Sequence, residues 1–210
     1  MSGAKRSPTP LSPVAAAAAA LKRARASPRT APSSPTRPRS VVDPALPSRA
    51  RFVFFWRPSE SHGWLSNWSP HAVREAGVLF PTAEHYLMYH KAKAMGDEEA
   101  ASATLRAESP KQAKAIGRRV ARFDERRWEA LREAIMVRGL TLKIGQHPML
   151  RSALLSTREK VIVEASPYDS VWGIGCSEDD ARALDETRWP GTNLLGKAWM
   201  RVREVASLMG

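Results

Sequence analysis

The composition of this chain changes abruptly near residue 50, and this break constrains the fold more than any other feature. Residues 1–50 contain none of the 15 aromatic residues but nine of the 16 prolines, and they carry eight of the twelve net positive charges. A segment with so few large apolar side chains cannot bury a core, so we expect a disordered, basic tail rich in proline and alanine. Residues 51–210 are long enough to form one globular domain with a sizeable core.

The tail allows three interpretations. Its prolines fit a plain disordered extension, its arginines and serines with a single acidic residue fit an organellar transit peptide, and its charge fits a nucleic-acid-binding arm. We expect a cytoplasmic protein, or an organellar one if the tail is a transit peptide. The high isoelectric point comes mainly from the tail, so it does not indicate that the folded part binds nucleic acid. No apolar run reaches membrane-spanning length, so no membrane partner is expected.

Helix signals outnumber strand signals in the folded part. Runs rich in aromatic and β-branched residues predict three strands, at Phe52–Trp56, Val78–Phe80 and Lys160–Glu164. Capping residues, first-turn prolines and helical spacing of apolar residues predict six helices. The predicted helices span Thr82 to Gly96, Asp97 to Arg106, Ser109 to about Arg122, residues 124–143, His147 to Leu155, and Asn193 to the C-terminus. The sequence therefore predicts a mainly α fold, or α+β with a small peripheral sheet.

Two runs about 80 residues apart, Phe80–Tyr86 and Ser166–Gly175, each place a carboxylate beside an aromatic side chain at the edge of a predicted element. A carboxylate next to a flat aromatic wall suits holding a planar base while its bond to a sugar is cut. In a first helical turn, Glu84 faces the positive end of the helix dipole, which favours its ionised form. We expect it to act as a base or to stabilise a cation, although acids are also common in first turns for structural reasons.

Four further residues bear on this hypothesis. Lys91 lies two turns beyond Glu84 on the same helix face, where it is an ion-pair partner, a phosphate ligand, a nucleophile forming a Schiff base, or a solvated side chain. Asp169 and Trp172 precede glycines that permit close approach of the backbone to a ligand. The helical spacing of Trp128 with the apolar residues after it predicts a core position.

Two weaker candidates are polar. Ser66 and Asn67 lie between two tryptophans, where they bind a ribose or base edge or simply hold a turn. Asn193 and Lys197 open the last helix, whose free N–H groups and lysine suit a phosphate as well as they suit an ordinary capped helix start. The histidines and Cys176 show no metal-ligand spacing and there is no phosphate-binding glycine loop, so no metal and no cofactor are expected.

As an ordered set, these runs resemble the NADAR (YbiA-like) family over about residues 52–207. The matching residues are Leu65–Asn67, Pro81–Tyr86, Lys91–Ala92, Ser109–Pro110, Ala113–Lys114, Gly117–Arg118, Trp128, Met136, Lys143, Glu164–Asp169, Trp172–Gly175, Asn193–Lys197, Met200 and Arg203. The resemblance implies a mainly helical N-glycosidase fold and an active site at Glu84, Trp128, Asp169 and Trp172. For Trp128 this implication replaces the core position. The tail has no counterpart in the family.

The resemblance also implies a reaction. Family members hydrolyse the N-glycosidic bond of phosphoribosylamino-pyrimidine intermediates of riboflavin biosynthesis, and related members remove ADP-ribose from modified guanine. We therefore expect an enzyme that hydrolyses the bond between a base and a (phospho)ribose in a small nucleotide-like substrate. Glu84 would stabilise charge or act as base and Asp169 would orient the sugar, or these roles would be exchanged, with Lys91 as reserve nucleophile. The alternatives are ADP-ribosylated guanine in nucleic acid as substrate, and a non-enzymatic module that binds ADP-ribose or nucleotides.

Overall fold

Six α-helices and four short strands make up the part of the chain that the computed structural model describes, residues 48–208. The strands are β1 (Phe52–Phe55), β2 (Val73–Glu75), β3 (Val78–Phe80) and β4 (Val161–Glu164). The helices are α1 (Ala83–Met95), α2 (Glu98–Leu105), α3 (Pro110–Gly117), α4 (Glu125–Gln146), α5 (Pro148–Ser156) and α6 (Leu194–Leu208). This arrangement confirms the predicted mainly helical fold with little sheet.

The strands form two separate pairs. β1 and β4 are parallel, with Phe52 opposite Val161 and Phe55 opposite Glu164. Alternate side chains of this pair face two different apolar clusters, as the period of two in a strand requires. Phe55 and Ile162 belong to the main core that the helices build. Phe54 lies on the other face of the strand pair, in a smaller apolar cluster beneath the loops after β4. The pair is therefore buried on both faces.

β2 and β3 form a small antiparallel hairpin. Its two turn residues, Ala76 and Gly77, both have positive φ angles, of 47° and 83°, which matches the type I′ turn that suits two-residue hairpins. β2 was not among the predicted strands. Its three residues include two charged ones, and Ala at a positive φ is not a usual turn signal, so the sequence carries little trace of this strand.

The predicted helix starts are confirmed, whereas two predicted ends differ from the structure: α3 is shorter than predicted, and α4 continues from the predicted residue 143 to Gln146. The backbone N–H of His85 donates to the Thr82 side chain at 3.4 Å, and Gly96 ends α1 in the left-handed region with φ 71°. α3 ends at Gly117, several residues before the predicted Arg122. The chain turns away there because Val120 enters the core, and Arg122 has a positive φ of 51°.

The helices pack around α1, which contacts α2, α3 and α4. Close approach of α4 to α1 depends on Gly139, where an added Cβ would lie 2.6 Å from the Tyr86 ring. α6 closes the other side of the core with Trp199, whose indole N–H donates to the Leu65 carbonyl at 2.8 Å. Between residues 48 and 208, no helix combines the length and apolarity needed to cross a bilayer.

Candidate active site

A cavity of about 740 Å³ opens beside the N-terminal half of α1 and is walled by α3, α4 and the loops after β1 and β4. Its volume falls in the range of small-molecule sites. Seven of the nine residues that the sequence analysis proposed for the site line it: Ser66, Asn67, Glu84, Lys91, Trp128, Asp169 and Trp172. Segments more than 80 residues apart in the chain therefore meet at one concave surface.

Glu84 lies in the first turn of α1, and its side chain is buried, with 4% of the residue exposed. Burial raises the pKa of Glu84 to about 7, since the charged form loses its water, and Lys114 opposes this effect. Asp169 raises the pKa further, and a hydrogen bond from the Trp68 side chain lowers it. The expectation that the helix dipole keeps this carboxyl ionised is corrected, because burial outweighs a dipole effect of about 1 kcal/mol or less. At neutral pH both protonation states are available.

Asp169 is held by two kinds of donor. One carboxylate oxygen accepts the backbone N–H of Trp172 at 2.8 Å and that of Val171 at 3.0 Å. The other lies 3.6 Å from the ammonium of Lys114 on α3. The turn is tight, since an added Cβ on Gly173 would lie 2.8 Å from the Asp169 carbonyl oxygen. Because both oxygens of this carboxylate are held in place, it is suited to orient a hydroxyl group of the substrate.

The two indoles differ in their surroundings. Trp128, in the first turn of α4, packs against the main core and also lines the cavity, so the prediction from spacing and the one from the family resemblance both describe its position. Trp172 is half-buried at the cavity wall. Together they offer flat apolar surface to a planar base.

Lys91 is half-buried on α1 and its ammonium lies 5.6 Å from the ring centre of Trp128 and 4.2 Å from that of Phe123. Burial lowers the pKa of Lys91 from its usual value, while Glu125 and Glu84 act in the opposite direction. A lowered pKa increases the fraction of neutral amine, the form that attacks a carbonyl carbon.

Glu164, which ends a predicted strand and belongs to the family match but was not proposed as a site residue, is a third carboxyl group in the cavity. Its Oε2 atom is shielded from solvent and has no hydrogen-bond partner among the described residues. Burial raises the pKa of Glu164 to about 8, Asp169 adds to this, and Lys114 opposes it. The available signal was an acidic residue that ends an otherwise apolar strand directly before the Ser166–Gly175 run.

Lys143 on α4 holds the loop that carries Ser66 and Asn67. Its ammonium is fully buried and donates to the Trp64 carbonyl at 2.7 Å, the Ser69 hydroxyl at 2.6 Å and the Ser66 carbonyl at 3.3 Å. Burial lowers the pKa of Lys143 to about 7, yet the three acceptors match the three N–H groups of the charged form. We therefore infer that it bridges the loop as an ammonium near neutral pH. The sequence analysis missed this role, because spacing alone cannot separate a buried lysine from a solvated one.

The loop in turn contacts the start of α1. The Asn67 carbonyl accepts the backbone N–H of Glu84 at 3.0 Å, which helps to fix that carboxyl group in place. The side-chain Oδ1 of Asn67 is buried and has no hydrogen-bond partner in the described part of the chain. Asn67 thus combines a place in the cavity lining with a buried amide oxygen that receives no hydrogen bond from the described residues.

Asn193 and Lys197, also proposed from the sequence, lie outside the cavity lining. The Asn193 amide serves β4 instead: it accepts the Glu164 backbone N–H at 3.0 Å and donates to the Ile162 carbonyl at 2.9 Å. Lys197 is exposed on α6. The start of this helix therefore supports the strand that ends at Glu164 and does not contribute to the cavity.

Cations outnumber carboxyl groups in the cavity lining. Lys111 and Lys114 line it from α3 and Arg118 from the residue that follows this helix, at the spacing of residues that share a helix face. Lys91 and Arg57 add two more charges. Against these five stand three carboxyl groups, two of them with raised pKa values. A concave surface with this imbalance attracts anionic ligands.

Comparison with known proteins gives a consistent result. Residues 54–206 match the NADAR domain. The chain is 36% identical over 162 residues to the N-glycosidase R617 of Acanthamoeba polyphaga mimivirus, covering 73% of this chain and 95% of that protein. It is 33% identical over 175 residues to the riboflavin biosynthesis protein PYRR of Zea mays, described as chloroplastic, covering 77% of this chain but only 26% of the maize protein.

A solved structure supports the same assignment. The NMR structure of the Escherichia coli protein YbiA superimposes with a TM-score of 0.62 at 28% sequence identity, covering 78% of this chain and 95% of YbiA. The match to the domain extends over most of the chain and the similarity to R617 over nearly all of that protein. The chain therefore belongs to the NADAR domain family.

Proposed function

We propose that this protein is an N-glycosidase that hydrolyses the bond between a base and a phosphorylated ribose, with phosphoribosylamino-pyrimidine intermediates of riboflavin biosynthesis as substrates. The observation that carries the proposal is the convergence of Glu84, Asp169, Trp128 and Trp172 on one cavity of about 740 Å³. The mimivirus relative is named an N-glycosidase and the maize relative a riboflavin biosynthesis protein, which supports both the reaction and the substrate class.

The geometry supports a division of labour between two carboxylates. The base packs against the indoles, and Asp169, fixed by backbone N–H groups and Lys114, orients the sugar. Glu84, with a pKa of about 7, is ionised in a large fraction of molecules at neutral pH and accepts a proton from the attacking water. Its negative charge also stabilises the cationic sugar of the transition state.

The cationic residues along α3 would bind the phosphate group of the substrate. Replacing Lys111 and Arg118 together by alanine should raise KM for a phosphorylated substrate by about a hundredfold or more, because each removes a charged contact worth roughly 1.5–3 kcal/mol. Turnover of the corresponding nucleoside, which has no phosphate, should change little. Arg119→Ala is the matched control, because this neighbouring arginine lies outside the cavity lining. An equal loss on both substrates would contradict a phosphate contact.

Lys91 offers a covalent route to the same products. Its amine would attack C1′ of the ring-opened sugar, the C1′–N bond to the base would break, and the base would leave carrying a proton. Water would then hydrolyse the Schiff base between Lys91 and C1′, which releases the sugar and restores the amine. If this route operates, borohydride added during turnover should trap a sugar adduct on Lys91, detectable by peptide mass spectrometry. Lys91→Ala should abolish trapping, while Lys93→Ala, at an exposed lysine of the same helix paired with Glu98, should not. Turnover without any adduct would assign the displacement to water alone.

The substrate is tested by direct comparison of two candidates. The protein is incubated with a phosphoribosylamino-pyrimidine and, separately, with an ADP-ribosylated guanine oligonucleotide, and released base is measured by mass spectrometry. We expect release from the pyrimidine compound. Release from the oligonucleotide alone would replace the substrate and keep the reaction, and binding without release from either would reduce the protein to a nucleotide-binding module.

A further inference from the structure

Glu164 occupies an unusual position at the end of β4. Its backbone is fixed from three directions: its N–H donates to the Asn193 side chain at 3.0 Å, its carbonyl accepts the Ile174 N–H at 2.9 Å, and β4 pairs with β1. Its side chain reaches the cavity, where Oε2 is shielded from solvent and lacks a hydrogen-bond partner among residues 48–208. A rigid backbone thus holds, in the lining of the cavity, a carboxyl group whose shielded oxygen receives no hydrogen bond, and such surroundings favour the protonated form.

The donors in the cavity are distributed unevenly among its three carboxyl groups. Asp169 has two backbone N–H groups and Lys114. Glu84, from α1, has the Trp68 side chain and the charges of Lys114 and Arg118. The charged groups that act on Glu164 are Asp169 from the following loop, Glu84 from α1 and Lys114 from α3, so two of the three are carboxyl groups. Like charges at close range favour a proton on the member with the fewest donors.

We propose that Glu164 is the proton donor of the site and protonates the nitrogen of the base as it leaves the sugar. This inference rests on the proposed N-glycosidase function. In the step, the O–H bond of Glu164 breaks and an N–H bond forms, while the electrons of the C1′–N bond move to the departing nitrogen. Water adds to C1′ and gives its proton to Glu84. Exchange of protons with solvent then restores both carboxyl groups, so the net reaction is hydrolysis.

The general acid, Glu164, and the general base, Glu84, lie in different surroundings. Burial among carboxyl groups raises the pKa of Glu164 to about 8, which keeps the acid form populated at neutral pH. Glu84 has more donors, and its pKa of about 7 leaves it more readily ionised. The difference in donors assigns the roles: Glu84, which receives the Trp68 hydrogen bond, is the base, and Glu164, whose Oε2 receives none, is the acid.

The first test needs no turnover. In protein labelled with ¹³C at the glutamate side-chain carboxyl, infrared spectra near neutral pH should contain a C=O band of a protonated carboxylic acid. The component that titrates above pH 7 should disappear in Glu164→Gln and persist in Glu99→Gln, a matched change at an exposed glutamate of α2. A band that is absent from the wild type, or unchanged in Glu164→Gln, would overturn the proposal whatever the substrate proves to be.

The second test uses kinetics. Glu164→Gln should lower kcat by about 10²- to 10⁴-fold, the range for loss of a general acid. The decline of wild-type kcat above neutral pH should also vanish from the variant, whereas a residue with only a structural part would leave that decline in place. If wild-type protein releases no base from any N-riboside, the proposed function fails, and the infrared result still decides the protonation of Glu164.

Discussion

Replacing Glu84 by glutamine should lower kcat by about 10²- to 10⁴-fold with little change in KM, because the amide keeps the shape of the carboxyl group but cannot accept the proton of water. The wild-type enzyme should lose activity as the pH falls through about 7, where Glu84 becomes protonated in the folded protein. The variant should lack this acid-side decline. Both effects are measured from kcat as a function of pH.

The stability of Glu84→Gln separates lost chemistry from lost folding. The pKa of Glu84 is raised from 4.5 to about 7, so the folded protein binds this proton more tightly than the unfolded chain. Its ionisation therefore lowers the free energy of unfolding as the pH rises from about 4.5 to 7. Glutamine removes this penalty, so the variant should be at least as stable as wild type at pH 8 in urea unfolding. Wild-type kcat in a folded Glu84→Gln variant would contradict the assigned role.

Replacing Lys143 by methionine should lower the free energy of unfolding by about 2–3 kcal/mol, since three N–H bonds from one buried ammonium are lost. Relief of the cost of burying the charge keeps the loss from being larger. The loop carrying Ser66 and Asn67 loses its link to α4, so KM should also rise. Lys197→Met is the matched control: an exposed lysine should change stability by less than about 0.5 kcal/mol.

Two outcomes would argue against the bridging role of Lys143. One is a Lys143→Met protein whose urea midpoint equals that of wild type. The other is a destabilised variant whose KM is unchanged at a temperature where it remains folded. The second result would mean that Lys143 stabilises the core only, and that other contacts position Ser66 and Asn67.

Local signals predicted the elements that carry the site. The Thr82 cap and the Ser109–Pro110 start are short-range features, so both helices begin where the sequence indicates. Long-range contacts were less accessible. β2 and the early end of α3 depend on what packs against them, and Asn193 serves β4, which lies about 30 residues earlier in the chain. The sequence pattern alone does not indicate such long-range contacts.

In the candidate site, too, features set by neighbouring residues were predicted and features set by long-range contacts were not. The runs around Glu84 and Asp169 identified the carboxylates, because acid and aromatic residues stand next to each other in sequence. The protonation of Glu84 was not predicted correctly, since burial is a property of the folded protein and outweighs the local helix dipole. The roles of Glu164 and Lys143 were not predicted for the same reason. Their chemistry arises from desolvation and from partners that only the fold brings together.

The most direct test of the account is the fate of oxygen from water during turnover of a phosphoribosylamino-pyrimidine. The reaction is run in H₂¹⁸O and sampled early by mass spectrometry, with unlabelled ribose 5-phosphate alongside to correct for spontaneous exchange. The account predicts equal amounts of unlabelled free base and of ribose 5-phosphate that carries ¹⁸O. Release of base no faster than in buffer, or ¹⁸O in the base rather than the sugar, would contradict it.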